Sequence, residues 1–178
     1  MSNARPQLVG VARPPSCDNR VMRKRIVRGV TARATSGDSE EEWRDLQDIA
    51  SVEVTSEDPR FPIESVFNSG GPGWRAAEPG EQRVRIIFDR PTSIRRIQLH
   101  FAEAAVERTQ EFTLSWSNVN GAAKEIVRQQ WNFSPTGSTR EVEDYHVTLE
   151  DISALELAIK PDLSNEKAPA GLALWRVA

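Results

Sequence analysis

Apolar side chains recur at every second position over most of this chain, beginning near residue 50. ASVEVTS (50–56) sets Val52 and Val54 against Glu53 and Thr55. The same period runs through 83–89, 93–101, 110–117, 124–134, 140–149, 154–160 and 172–178. A period of two puts alternate side chains on opposite faces of a strand, so each segment reads as a half-buried strand. In 93–101, Ile97, Leu99 and Phe101 share one face, with Arg96, Gln98 and His100 on the other. Phe112, Leu114 and Trp116 oppose Glu111, Thr113 and Ser115, while Val127, Trp131 and Phe133 oppose Arg128, Gln130 and Asn132. Turn chemistry separates the segments at Asp89-Arg90-Pro91, Asn120-Gly121, Pro135-Thr136-Gly137, Pro161-Asp162 and Pro169-Ala170-Gly171. About eight strands without a strand–helix–strand rhythm predict an all-β antiparallel sandwich. Trp175 and Val177 are expected in its core, so truncating the C-terminal end should be costly.

A different period precedes the strands. In SGDSEEEWRDLQDIA (36–50), Ser39 and Glu42 have capping-box spacing, and Trp43, Leu46 and Gln47 or Ala50 fall on one helical face. A short helix docking through Trp43 and Leu46 is predicted. Earlier still, residues 1–37 hold eight basic side chains against Asp18, a net charge of +7, and the remainder carries −10. Arginines scattered among prolines predict a flexible basic arm over 1–37, followed by one domain over 38–178. Arg23, Lys24, Arg25 and Arg28 are the arm's candidate nucleic-acid contacts; the competing reading is a solvated tail.

Composition narrows the function classes. The hydrophobic share, 38%, suffices for one core, and no apolar run approaches the roughly 20 residues that cross a bilayer, so no membrane partner is expected. One cysteine, Cys17, and no secretory h-region point to a cytoplasmic protein. Only His100 and His146 are available for imidazole chemistry, and neither a nucleophile elbow, a metal-ligand cluster nor a phosphate loop is present. GGPG lacks the lysine of a phosphate loop, and the acidic run Glu141, Glu143, Asp144 reads as a solvated face. No catalysis, cofactor or metal is expected.

Candidate binding residues fall in three groups. GGPGWRAAEPGEQ (70–82) places Trp74 and Arg75 together in a glycine-proline loop. Trp74 either corks one end of the sandwich or displays its ring to a ligand; if it is buried, alternation sends Arg75 to solvent. A polar sheet face, Arg96, Gln98, His100, Glu111, Arg128 and Gln130, offers guanidinium forks and planar amides to hydroxyls or a carboxylate, or else forms ordinary cross-strand pairs. The third group, Glu103, Arg108, Asn132 and SNEKAPA (164–170), belongs to loops at one rim.

Several segments together resemble the galactose-binding-like, discoidin-type jelly-roll superfamily: TSEDPRFPIESVFN, the Trp74 loop, GEQRVRIIFDRPTSIRRIQLHF and the closing GLALWRV. TSEDP and GWRAAEPGEQ are locally similar to N-terminal domains of X-ray cross-complementing repair scaffolds. The resemblance spans residues 50–178 and implies a jelly-roll β-sandwich used as a non-enzymatic binding module. It implies carbohydrate or a similar small polar ligand, with a protein or, through the arm, a nucleic-acid partner as the alternative. Some members hold calcium at a loop matching Asn68 and Ser69, which here lacks the carboxylates.

Overall fold

The computed structural model describes residues 42–178, so Arg23, Lys24, Arg25 and Arg28, Cys17 and the Ser39 cap lie outside the described residues. Among the described residues eight strands follow one another: β1 (Ala50–Val54), β2 (Trp74–Pro79), β3 (Gln82–Ala102), β4 (Arg108–Ser117), β5 (Lys124–Phe133), β6 (Arg140–Lys160), β7 (Pro169–Leu172) and β8 (Leu174–Val177). All pair antiparallel, in the order β1-β3-β6-β4-β5 with β8 on β3, and β2 pairs with β7.

Two 21-residue strands make the sandwich. The first half of β3 lies between β1 and the end of β6, while its second half lies between the start of β6 and β8. Their shared register slips between Ile87 and Arg96, and Asp151 takes a left-handed φ of 53° opposite that stretch. Bulges let a strand bend and pass from one layer to the other. The expected breaks at Asp89-Arg90-Pro91 and between 149 and 154 are therefore corners within continuous strands. The ring of Phe101 stacks on Phe112 of β4, 5.0 Å between centroids, which shows the two layers meeting face to face. Between them lie Ile86, Leu99, Leu114, Leu157 and Trp175, all essentially without solvent contact.

Over its described part, residues 42–50, the expected helix is replaced by a single 3-10 turn, Leu46–Asp48, capped by Asp45. Sheet pairing takes the backbone groups a longer helix would need: Arg44 N–H donates to Val177 O at 2.9 Å, and Asp89 N–H to Ile49 O at 3.0 Å. Leu46 is buried as expected, but Trp43 lies across the outer surface with Arg96 and Arg176 guanidinium carbons 4.9 and 5.6 Å from its ring. Ala50 belongs to β1.

Pro169-Ala170-Gly171, expected as a turn, is β7, and it makes Trp74 the first residue of a strand rather than part of a loop. Gly73, at φ +75°, allows the approach: a Cβ there would sit 2.7 Å from Leu172 O. Alternation along β2 then buries Trp74 and exposes Arg75.

Candidate functional site

Outward-facing side chains on four neighbouring strands build a trench. In the register, Arg83 of β3 faces Ala158 of β6, Ala158 faces Thr113 of β4, and Thr113 faces Arg128 of β5. Small side chains on the two middle strands, Ala158, Thr113 and Ser115, form its floor. Arg83 and Arg128 form its walls, because long side chains on the flanking strands rise past the small ones. The resulting groove has a volume of about 210 Å³. Beside it, the turn at Pro79, Gly80 and Glu81 and the loop at Pro161, Asp162, Leu163 and Glu166 enclose a rim cleft of about 500 Å³. Glu81 and Lys160 line both, so the two concavities are continuous.

The trench is densely hydrogen-bonded. Glu111 accepts from Gln130 Nε2 at 2.8 Å and from Lys160 Nζ at 3.4 Å, with Arg128 Nη1 3.8 Å away. The Gln130 amide first, then the Lys160 and Arg128 cations, hold Glu111 below the usual carboxylate range against a smaller opposing effect of burial. Arg128 also pairs with Glu125 at 3.1 Å, and that hydrogen bond raises its pKa further. Arg83 lies 3.2 Å from Glu81 and 3.4 Å from Glu156. These are planar, oriented donors and acceptors, suited to polyhydroxylated ligands.

The polar residues expected on one sheet face divide between the two layers. Glu111 and Arg128 line the trench and Gln130 donates to Glu111 from beside it, while Arg96 and Gln98 belong to the second half of β3, where both donate to Asp144 (2.6–2.8 Å from Arg96, 3.3 Å from Gln98). His100 shares their strand; burial, then Arg176 and Arg140, lower its pKa. The division arises because β3 turns a corner, so positions before and after it reach different outer surfaces.

Trp74 is 2% exposed, with its indole N–H unpartnered in the core. Arg75 extends into solvent with its guanidinium 4.9 Å from the Phe61 ring. Glu103 and Arg108 pair at 3.2 Å, and Arg108, almost wholly buried, also donates to Pro169 O at 2.9 Å; burial lowers its pKa. Asn132 accepts from Thr109 at 2.8 Å. The rim pair thus ties the β3–β4 loop to β7. In the loop that holds Asn68 and Ser69, Ser69 takes a hydrogen bond from Arg176. Among the described residues no three His, Cys, Asp or Glu side chains gather as metal ligands.

The acidic run is also placed differently from expectation. Glu141 points inward at 1% exposure, and Glu143 beside it accepts from Gln129 at 2.6 Å and from Tyr145 at 2.9 Å. Only Asp144 of the three faces out. Sequence reading did not single out Arg83, Glu156, Ala158, Lys160 or Asp162 for the trench and cleft. Each stands at an outward position of a recognised strand or turn, but nothing local says which strands adjoin.

No family model matches this chain, and no curated protein matches it. Solved structures share its fold. The family 32 carbohydrate-binding module of AlyQ, in complex with 4,5-unsaturated mannuronic acid, superposes with a TM-score of 0.56 at 14% identity, covering 77% of this chain and 98% of that one. The family 32 module of NanJ from C. perfringens, in complex with galactose, gives 0.53 at 14% identity over 76% and 96%. A pectin-binding carbohydrate-binding module gives 0.51 at 18% identity over 72% and 89%. The all-β antiparallel sandwich expected from the sequence is the observed fold, and these carbohydrate-binding modules share it.

Proposed function

We propose that this domain is a non-catalytic carbohydrate-binding module that holds its ligand in the trench and rim cleft. The observation that carries the reading is the trench itself: a floor of small side chains between walls of guanidinium, ammonium and carboxylate groups fixed by hydrogen bonds and ion pairs. Pre-oriented groups of this kind engage vicinal hydroxyls with little ordering cost on binding. The shared fold with carbohydrate-binding modules supports the same reading.

Nothing in the cleft favours catalysis. General acid–base chemistry needs carboxyls with separated pKa values, and Glu111 is held ionised by its three partners. The carboxyl that titrates near neutrality, Glu141, is sealed inside the sandwich. Titration calorimetry on the full chain with oligosaccharides selected from a glycan array tests the proposal. Arg128→Ala and Glu111→Gln should each weaken binding by about tenfold or more, the scale of a hydrogen bond to a charged group. Absence of any glycan ligand, or wild-type affinity in both variants, would overturn it. A DNA titration at two salt concentrations tests the interaction-module alternative, since phosphate binding weakens steeply with salt.

A further inference from the structure

We infer that the ligand is an internal segment of a neutral, unbranched polysaccharide, lying along the trench and passing over Lys160 into the rim cleft. The inference rests on the carbohydrate reading above and adds the class of chain.

Shape is the first argument. The floor runs along β6 and β4, between the Arg83 wall on β3 and the Arg128 wall on β5, so the trench follows the strands. Glu156 to Lys160 covers about 13 Å at the rise of a strand, which exceeds one pyranose ring before the rim cleft is counted. Arg83, Arg128 and Lys160 stand about half in solvent, leaving the trench without a roof. A pocket for a terminal sugar is closed at one end. Here the path continues past Lys160, since Lys160 and Glu81 belong to both concavities.

Charge is the second. Arg83, Arg128 and Lys160 each already lie within 3.4 Å of a carboxylate. Among the described residues five carboxylates line the path, Glu81, Glu111, Glu156, Asp162 and Glu166, against those three cations, a balance of −2. An anionic sugar would have to break an existing pair and enter a net negative cleft. Neutral hydroxyls can bridge the same groups without separating charge.

The third argument is that no aromatic side chain among the described residues lines either concavity. Binding then depends on many modest hydrogen bonds and on apolar contact with the exposed Leu163 at the rim. Such contacts accumulate only with chain length.

Calorimetry of the full chain with neutral unbranched oligosaccharides of one to six residues, at two salt concentrations, tests this. Affinity should rise at least tenfold from monosaccharide to hexasaccharide and hold steady with salt. Ala158→Trp fills the floor from the solvent side and should abolish the length gain while leaving circular dichroism and Tm unchanged; Thr113→Trp repeats the test should the first variant misfold. A monosaccharide binding as tightly as the hexasaccharide, or both floor variants keeping the gain, overturns the extended chain. A uronate oligomer binding more tightly, with salt-sensitive affinity, overturns the neutral class. In both outcomes the carbohydrate reading survives. Failure of every sugar to bind removes that reading and this inference together.

Discussion

Glu141→Gln should stabilise this protein above pH 7 and leave it nearly unchanged below about pH 4. Glu141 faces the interior from β6 at 1% exposure, one of its carboxylate oxygens has no partner, and the other is 3.4 Å from Gln129 Nε2. Its nearest titratable neighbours are Glu143 on the same face and Tyr145, whose hydroxyl donates to Glu143. Burial first, then the Glu143 charge, push the Glu141 carboxyl from 4.5 up to about 7. A carboxyl raised on folding keeps its full contribution below its unfolded pKa and loses it as pH rises through the folded value. The wild type should therefore lose stability between about pH 4.5 and 7.5. At 1.36 kcal/mol per pKa unit the loss approaches about 3 kcal/mol, a large part of the 5–15 kcal/mol typical of a domain. Glutamine is nearly isosteric with the protonated acid and never ionises. Urea unfolding of both proteins at pH 5, 6, 7 and 8 isolates the effect, because every other carboxylate is common to the pair. The difference in unfolding free energy should grow from under about 1 kcal/mol at pH 5 to about 3 kcal/mol at pH 8. A difference that stays flat with pH would refute the reasoning.

Other substitutions probe the frame of the site. Trp74→Ala should cost about 3–5 kcal/mol in denaturant unfolding, as expected for a core aromatic, and a loss below 1 kcal/mol would contradict its burial. Arg108→Met leaves Glu103 without its partner and Pro169 O without its donor at the rim. Breaking a buried pair costs roughly 3–5 kcal/mol, so a variant with wild-type Tm would show the pair to be dispensable. Arg128→Ala and Ala158→Trp, both outward-facing, should alter sugar binding while leaving unfolding transitions within about 0.5 kcal/mol of wild type.

The period-two pattern determined the strands and the face each residue takes, because a strand's alternation is a local property of the backbone. Ile97, Leu99 and Phe101, and likewise Phe112 and Leu114, are buried where that pattern places them. The same rule coupled the burial of Trp74 to the exposure of Arg75 once β2 had formed. Tertiary structure alone decided what each face meets. Asp89-Arg90-Pro91 reads as a break in isolation, but with β6 bending alongside, it becomes a corner in one strand. Trp43 and Leu46 have helical spacing, yet Val177 O captures the Arg44 N–H and the helix shortens to a single turn. Alternation puts Glu141 on the same face as Tyr145, Val147 and Leu149, but its enclosure comes from β5, which brings Gln129 across from the opposite layer. The trench depends on a row running Arg83, Ala158, Thr113, Arg128, drawn from strands up to 75 residues apart in the chain. Alternation says that each of the four faces outward, while strand order and register, which are nonlocal, make them neighbours.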